Sequence, residues 1–214
     1  MRTNKRVGAL LREGGEVLPT RMVLVGAYYL MMFNEIDCKV ELSHLPFENL
    51  RYRDRTVLIL GKDGNGKFIL GDKKGFYPEG IVRMIGGGIN DGEDVLSAAI
   101  RETEEELGVK EPADIFVPLI QVNVEGTFEG EKFTHTVYVY FLPLTDKQLV
   151  SGDDVSDVVR MSEKEYRQLV TNYFGLSSDN FFEHPGGKFS WGDYGKVYGF
   201  IHEVVLDEVL ERNL

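Results

Sequence analysis

Cysteine is almost missing from this sequence: Cys38 is the only one among 214 residues. No intramolecular disulfide can form, so packing must hold the fold, and a reducing compartment is the natural setting. Histidine is scarce too. His44, His135, His184 and His202 show no spacing suited to a shared metal ion, which leaves them as structural or surface residues. Positive charge also runs short. With 24 Lys and Arg against 35 Asp and Glu, the net charge is −11, which excludes binding of nucleic acid or an anionic membrane across the whole surface and leaves only local basic sites. The longest apolar run, "MVLVGAYYLMMF" from Met22 to Phe33, falls short of the ~18 residues of a membrane span. It reads as buried core or as a subunit contact in a homodimer. The apolar stretch before Arg12 has five residues, below the roughly 7–15 of a secretory signal, so the expected location is cytoplasmic.

What is present is enough apolar material, 43% of the chain, for one α/β domain with additions at its ends. Residues 1–50 read as an N-terminal extension, joining the sheet or making a dimer contact, and residues 51–214 as the main domain, closing with a helix. From Arg55, "RTVLIL" and "KFIL" flank "GKDGNG", a strand, a turn suited to positive φ, and a strand. A third strand is expected from Ile81 to Ile85, with Gly86, Gly87 and Gly88 as a loop after it. A helix should follow from about Asp94 to Leu107, with acids at its start and Gly108 as its stop. Strands near Ile115 to Val122 and Phe133 to Leu142 flank "EGTFEGEK", read as a loop, and helices are expected at Glu163 to Val170 and Ile201 to Arg212. The aromatic-rich stretch from Tyr173 to Phe200 carries enough Gly and Pro to suggest a long loop.

The segment from Gly87 to Val109 holds seven acids and one base, a net −6 and more than half of the chain's net charge. Within it, "RETEEELGV" places Glu102, Glu105 and Glu106 on one helical face, with Glu104 turned away toward solvent. Each like-charge pair costs about 0.2–0.5 kcal/mol even when exposed. Solvent, neighbouring arginines or a bound cation must offset that cost. Three carboxylates at i, i+3 and i+4 are the oxygen donors that a hard dication prefers. Leu96, Ile100, Thr103 and Leu107 form an adjoining apolar sector that can pack on a sheet.

Read from Gly87, the pattern is Gly, five residues, Glu93, seven residues, Arg101-Glu102, two residues, Glu105-Glu106, one residue, Gly108 and Val109. It resembles the Nudix box, and the seven fixed residues would match by chance with odds of roughly 10⁻⁸ per starting position. Thr103 stands where the family usually has Leu, Ile or Val, and Ile85 where many members have proline. The hairpin before the box, and "DDVSDVVRMSEKEY" after it, resemble the family more loosely. The resemblance implies an α/β/α sandwich with a mixed sheet and N- and C-terminal extensions. It also implies Mg²⁺ or Mn²⁺ as cofactor, with Glu102, Glu105, Glu106 and the Gly87 carbonyl as ligands, and Glu93 paired with Arg101 to orient them.

The implied activity is hydrolysis of a nucleoside diphosphate linked to another group X, with no nucleic acid or membrane as partner. The base that deprotonates the attacking water is either Glu102 or a loop acid among Asp153, Asp154 and Asp157. Two rival functions come from other classes: a Nudix-fold nucleotide sensor without turnover, and an isoprenoid isomerase, whose chemistry would need Cys38. For the substrate phosphate, Arg83, Lys73 and Lys74 are candidate contacts, each with plain surface solvation as its alternative. Trp191 is the candidate for stacking on the base or on X, and its alternative role is a core anchor for the final helix. The proline and tyrosine that mark two substrate classes in the family are absent near Val124 to Thr127, so X is left open.

Overall fold

The computed structural model describes residues 23–25, 28–30, 32–144, 148–152, 155–184 and 187–214. Strands β1 (Val23–Val25) and β2 (Tyr28–Leu30) form a small antiparallel pair, and β3 (Asn34–Glu41) follows. The rest of the Met22 to Phe33 run lies outside the described residues, apart from Met32, which is exposed, and Phe33. After a short helix α1 (Glu48–Tyr52) come β4 (Arg55–Asp63), β5 (Phe68–Asp72), β6 (Ile85–Gly88) and helix α2 (Val95–Leu107). A hairpin of β7 (Val117–Phe128) and β8 (Glu131–Leu144) precedes β9 (Asp157–Met161) and helix α3 (Glu163–Phe174). The chain closes with β10 (Phe181–His184), β11 (Gly187–Ser190) and helix α4 (Trp191–Arg212).

Seven strands make one mixed sheet in the order β3, β7, β8, β4, β5, β9, with β6 paired to β4. The β3–β7 and β8–β4 pairs are parallel, and the others are antiparallel. Strand β4 explains its own unbroken apolar run. Val57 and Ile59 are buried on one face and Leu58 and Leu60 on the other, and a strand covered on both faces needs no polar alternation. Helix α2 covers the first face through Ala98, Ala99 and Leu107. Helices α3 and α4 cover the second through Tyr166, Leu169, Ile201 and Val205. The result is a three-layer α/β/α sandwich. Among the described residues, no helix is long and apolar enough to cross a membrane.

Three segments differ from the sequence expectation. The third strand starts at Ile85 and runs through the glycines, leaving Arg83 in an isolated bridge with Gly71. Gly86 has φ 135, and a Cβ there would lie 2.1 Å from the Val57 carbonyl oxygen, so only glycine can pair so closely with β4. The expected "EGTFEGEK" loop is mostly strand. β7 and β8 continue to a two-residue turn in which Glu129 (φ 51) and Gly130 (φ 85) both adopt positive φ, the turn that matches strand twist.

The expected long loop before Phe200 is hairpin β10–β11 and the first half of α4. Glycine content misled because Gly195 and Gly199 serve helix packing. A Cβ on Gly195 would lie 2.2 Å from the Tyr173 carbonyl oxygen, and one on Gly199 would lie 3.1 Å from side-chain atoms of Tyr173 and Phe174. Asp193, buried in the first turn of α4, accepts from the Ser43 and His44 amides at 2.9 and 3.1 Å. It thereby ties down the loop that sets Phe47 5.2 Å from the Tyr194 ring.

Gly195→Ala tests the helix contact. Alanine should gain roughly 1 kcal/mol of helix propensity, yet the clash with backbone should make the variant about 1–3 kcal/mol less stable than the parent in urea titration.

Candidate metal centre and substrate cavity

Helix α2 positions the acidic cluster by ordinary local rules. The Asp94 side chain caps it, accepting from the Leu96 and Ser97 amides at 3.1 and 3.0 Å, and Gly108 ends it at φ 67. Thr103 faces inward and donates to the Ala99 carbonyl at 2.7 Å, which satisfies its buried hydroxyl. The sheet-facing side therefore accepts the Leu-to-Thr departure without an orphaned polar group. Glu102 and Glu106 are buried and Glu105 is half exposed.

Arg101 is the hub. Its guanidinium donates to Glu93 at 2.9 and 3.0 Å, to Glu102 at 2.7 Å, to Glu105 at 3.0 Å and to the Gly88 carbonyl at 2.9 Å. The Glu93 carboxyl is held below its usual range, chiefly by its hydrogen bond with Arg101. Glu102 moves the other way, because burial raises its pKa more than Arg101 lowers it. A Cβ on Gly87 would lie 2.6 Å from a Glu102 carboxylate oxygen, so the absent side chain at Gly87 is what lets that carboxylate rest on the glycine strand.

Glu106 is held from the opposite side. Arg83 donates to Glu106 and to the Gly86 carbonyl, and the Gly86 amide donates to Glu106 at 2.8 Å. The ladder bears on the expected carbonyl ligand. Ile89 donates to the Arg55 carbonyl, and antiparallel hydrogen bonds alternate, so Gly87 exchanges its own with Val57. The carbonyls turned toward the arginines and carboxylates belong to Gly86 and Gly88.

Among the described residues, no group of three or more His, Cys, Asp or Glu side chains converges on one point as a finished cage. Arg101 and Arg83 hold the three carboxylates apart. The donor set nonetheless fits a hard dication, because it consists of oxygens only, on one helix face and a carbonyl-presenting strand.

Beside the glycine strand lies a cavity of about 400 Å³, lined at that end by Arg53, Thr56, Arg83, Gly86 and Gly87. Its remaining wall is aromatic, with Phe47, Phe76, Tyr77, Phe182, Phe189 and Tyr198 among its residues. Arg83 reaches both this cavity and Glu106. Lys74 is exposed, outside the lining, and its neighbour Lys73 takes that place. Trp191 is buried at the start of α4 and is not a lining residue. It packs behind the wall against Phe189 at 5.0 Å and Tyr194 at 5.2 Å, which agrees with the core-anchor alternative.

Asp157 is exposed on β9, and Asp153 and Asp154 lie outside the described residues. Cys38 is buried in β3, where burial pushes its thiol up to about 12. A thiolate nucleophile is thereby disfavoured. Sequence reasoning did not single out Arg53, Thr56 or Phe47, and it left His202 as a structural residue. Their signal is tertiary: they share a cavity although no motif links them.

Glutamates set on a helix against a glycine strand, inside an α/β/α sandwich, define the class of domain as one with an acidic helix face at its candidate site. Comparison with known proteins makes the class specific. The NUDIX domain family model matches residues 52–177, more than half of the chain, and the chain belongs to the Nudix hydrolase family. An uncharacterised Nudix hydrolase of Yersinia pestis is 39% identical over 62 residues, which is 28% of this chain and 34% of the relative. The match thus spans about a third of that relative's length. A MutT/Nudix family protein of Enterococcus faecalis is similar in structure, with a TM-score of 0.48 and 16% identity, over 79% of this chain and 66% of that one. A Listeria monocytogenes protein described as a Nudix hydrolase gives a TM-score of 0.47 at 17% identity, over 75% and 97% of the two chains.

Arg101→Ala should lower stability by about 1–3 kcal/mol at pH 7 in chelator, because it strands carboxylates that were paired. The direction of the Glu93 shift sets the pH dependence. A carboxyl with a lowered folded pKa stabilises above its unfolded value, near 4.3, and that contribution fades as pH falls through the folded value. Urea titrations at pH 7 and pH 3 should therefore show the parent and variant converging in acid.

Proposed function

We propose that this protein hydrolyses the pyrophosphate of a nucleoside diphosphate linked to another group X, using Mg²⁺ or Mn²⁺. The observation that carries this reading is the placement of Glu102, Glu105 and Glu106 beside the glycine strand, two of whose residues line the cavity. Glu102, Glu105, Glu106 and the Gly86 carbonyl would hold the cation. When bound, a hard dication neutralises charge developing on the phosphate oxygens.

The chain's own residues divide the remaining work. Arg101 fixes Glu102 and Glu105 to Glu93 and the strand, so the helix face and the glycines keep one geometry. Arg83, already shared between Glu106 and the cavity, presents a planar donor fork to a phosphate oxygen. Glu102 is the proposed base. It lies against the Gly87 backbone in a largely enclosed position, whereas Asp157 is exposed on an outer strand. A Glu102 oxygen takes a proton from water as the water oxygen attacks phosphorus, and the bridging oxygen leaves with the other phosphoryl half.

A panel of nucleotide substrates assayed with Mg²⁺ and with Mn²⁺ tests the reading. Glu105→Gln and Glu106→Gln should each cut kcat/KM by about a hundredfold or more while circular dichroism stays unchanged, since the exchange removes charge but little volume. Full activity in chelator would refute the metal role. Glu102→Gln should lower kcat far more than Asp157→Asn, and the opposite ranking would move the base to Asp157 on β9.

A further inference from the structure

Part of the cavity wall is built outside the segment that the family model matches. The match ends at residue 177, while Phe182, Phe189, Tyr194, Tyr198 and His202 all come later in the chain. This wall is aromatic, but two polar groups on the lining stand out by their chemistry.

The first is Thr56, which is 2% exposed and whose hydroxyl has no hydrogen-bond partner among the described residues. In register it lies opposite Gly88 on one side and Val137 on the other, and it lines the cavity with Leu58. Valine has the same shape and would leave nothing unpaired, so packing alone gives no reason for a hydroxyl here. The second is His202 on α4. Its Nδ1 pairs with the Tyr166 hydroxyl at 2.8 Å, and its ring stacks 4.8 Å from Tyr173. Among the described residues nothing pairs with its Nε2. Burial lowers the ring's pKa to about 3, so it stays neutral at physiological pH. It then offers the cavity a dipole rather than a charge.

We propose that this cavity takes a nucleobase, a planar ring with polar edge atoms, and that the Thr56 hydroxyl and His202 Nε2 are the contacts that select it. The inference rests on the reading of this cavity as the substrate site. Aromatic faces supply stacking to any ring, so discrimination among bases must come from lining groups that can hydrogen-bond to an edge, and Thr56 and His202 Nε2 are neutral ones with that capacity unspent. An apolar X group in the same place would leave both unsatisfied.

The test uses AMP, GMP, CMP and UMP against inorganic phosphate, with binding to the full chain measured by calorimetry in Mg²⁺. None of these probes contains a phosphoanhydride bond, so the result does not depend on turnover. At least one nucleotide should bind tenfold or more tighter than inorganic phosphate. Thr56→Val should reduce that preference about fivefold to tenfold, the scale of one lost hydrogen bond, and Thr56→Ser should keep it. His202→Asn, which retains a partner for Tyr166 but removes Nε2, should reduce it comparably. Without ligand, Thr56→Val should melt at or above the parent temperature, because it removes an unpaired buried hydroxyl. The proposal is overturned if no nucleotide outbinds inorganic phosphate, if Thr56→Val keeps the full preference, or if Thr56→Ser loses as much as Thr56→Val. Ring-dependent binding without pyrophosphate hydrolysis would overturn the catalytic reading and leave this one standing. Hydrolysis without ring-dependent binding would do the reverse.

Discussion

Burying carboxylates is the constraint on which the rest of this structure depends. Glu102 and Glu106 are nearly inaccessible at the edge of an apolar core, a position that would be strongly unfavourable without compensation. Two arginines and a strand of glycines supply it. Arg101 joins Glu93, Glu102, Glu105 and the Gly88 carbonyl, and Arg83 joins Glu106 to the Gly86 carbonyl. Because both arginines also grip the strand, the acidic helix face cannot shift without breaking contacts to β6. That strand is itself fixed to β4 by a pairing too close for any side chain at Gly86. The electrostatic compensation and the geometry of the site are therefore the same set of contacts.

The legible part of the sequence follows from this locality. Glu93, Arg101, Glu102, Glu105 and Glu106 lie within one turn-and-helix segment, and helical periodicity alone puts the last three on one face. Caps at Asp94 and Gly108 obey rules that act over a few residues. Glycine was harder to read because its two uses look alike in sequence. In "GGG" and again in "WGDYGKVYG", glycine suggested a loop, yet the first is a strand pressed on β4 and the second a helix pressed on α3. A missing side chain signals close approach as readily as flexibility, and only the partner surface shows which. The choice among the glycine carbonyls was hard to read for a related reason: which carbonyl faces outward depends on ladder alternation with β4, and that register is not encoded locally.

Long-range pairing hid the remainder. Strand β3 joins the sheet parallel to β7, with paired residues such as Asn34 and Ile120 far apart in the chain, so nothing near Asn34–Glu41 announces its neighbour. The cavity is the extreme case. Thr56 comes from a central strand, Phe47 from the loop before α1, and His202 from the last helix. Asp193 helps assemble them, since its carboxylate holds the 43–44 backbone against the start of α4. Trp191, selected from sequence because it is unique, supports this wall from behind.

The structure thus separates two tasks by origin. The acidic cluster and its arginines come from the segment shared with the family, and in the proposed function they address groups common to every pyrophosphate. The aromatic wall comes in part from β10–β11 and α4, beyond residue 177, and in the same proposal it faces whatever distinguishes one pyrophosphate from another. A cation on the lining, such as Lys73 5.5 Å over the Phe76 ring, attracts phosphate as readily as the edge of a base. Neutral groups avoid the conflict. A histidine kept uncharged by burial and a hydroxyl on an apolar strand face can read the edge of a ring without attracting the anionic end of the same molecule. Arg83, bonded to Glu106 and lining the cavity, stands where the acidic cluster meets the aromatic wall.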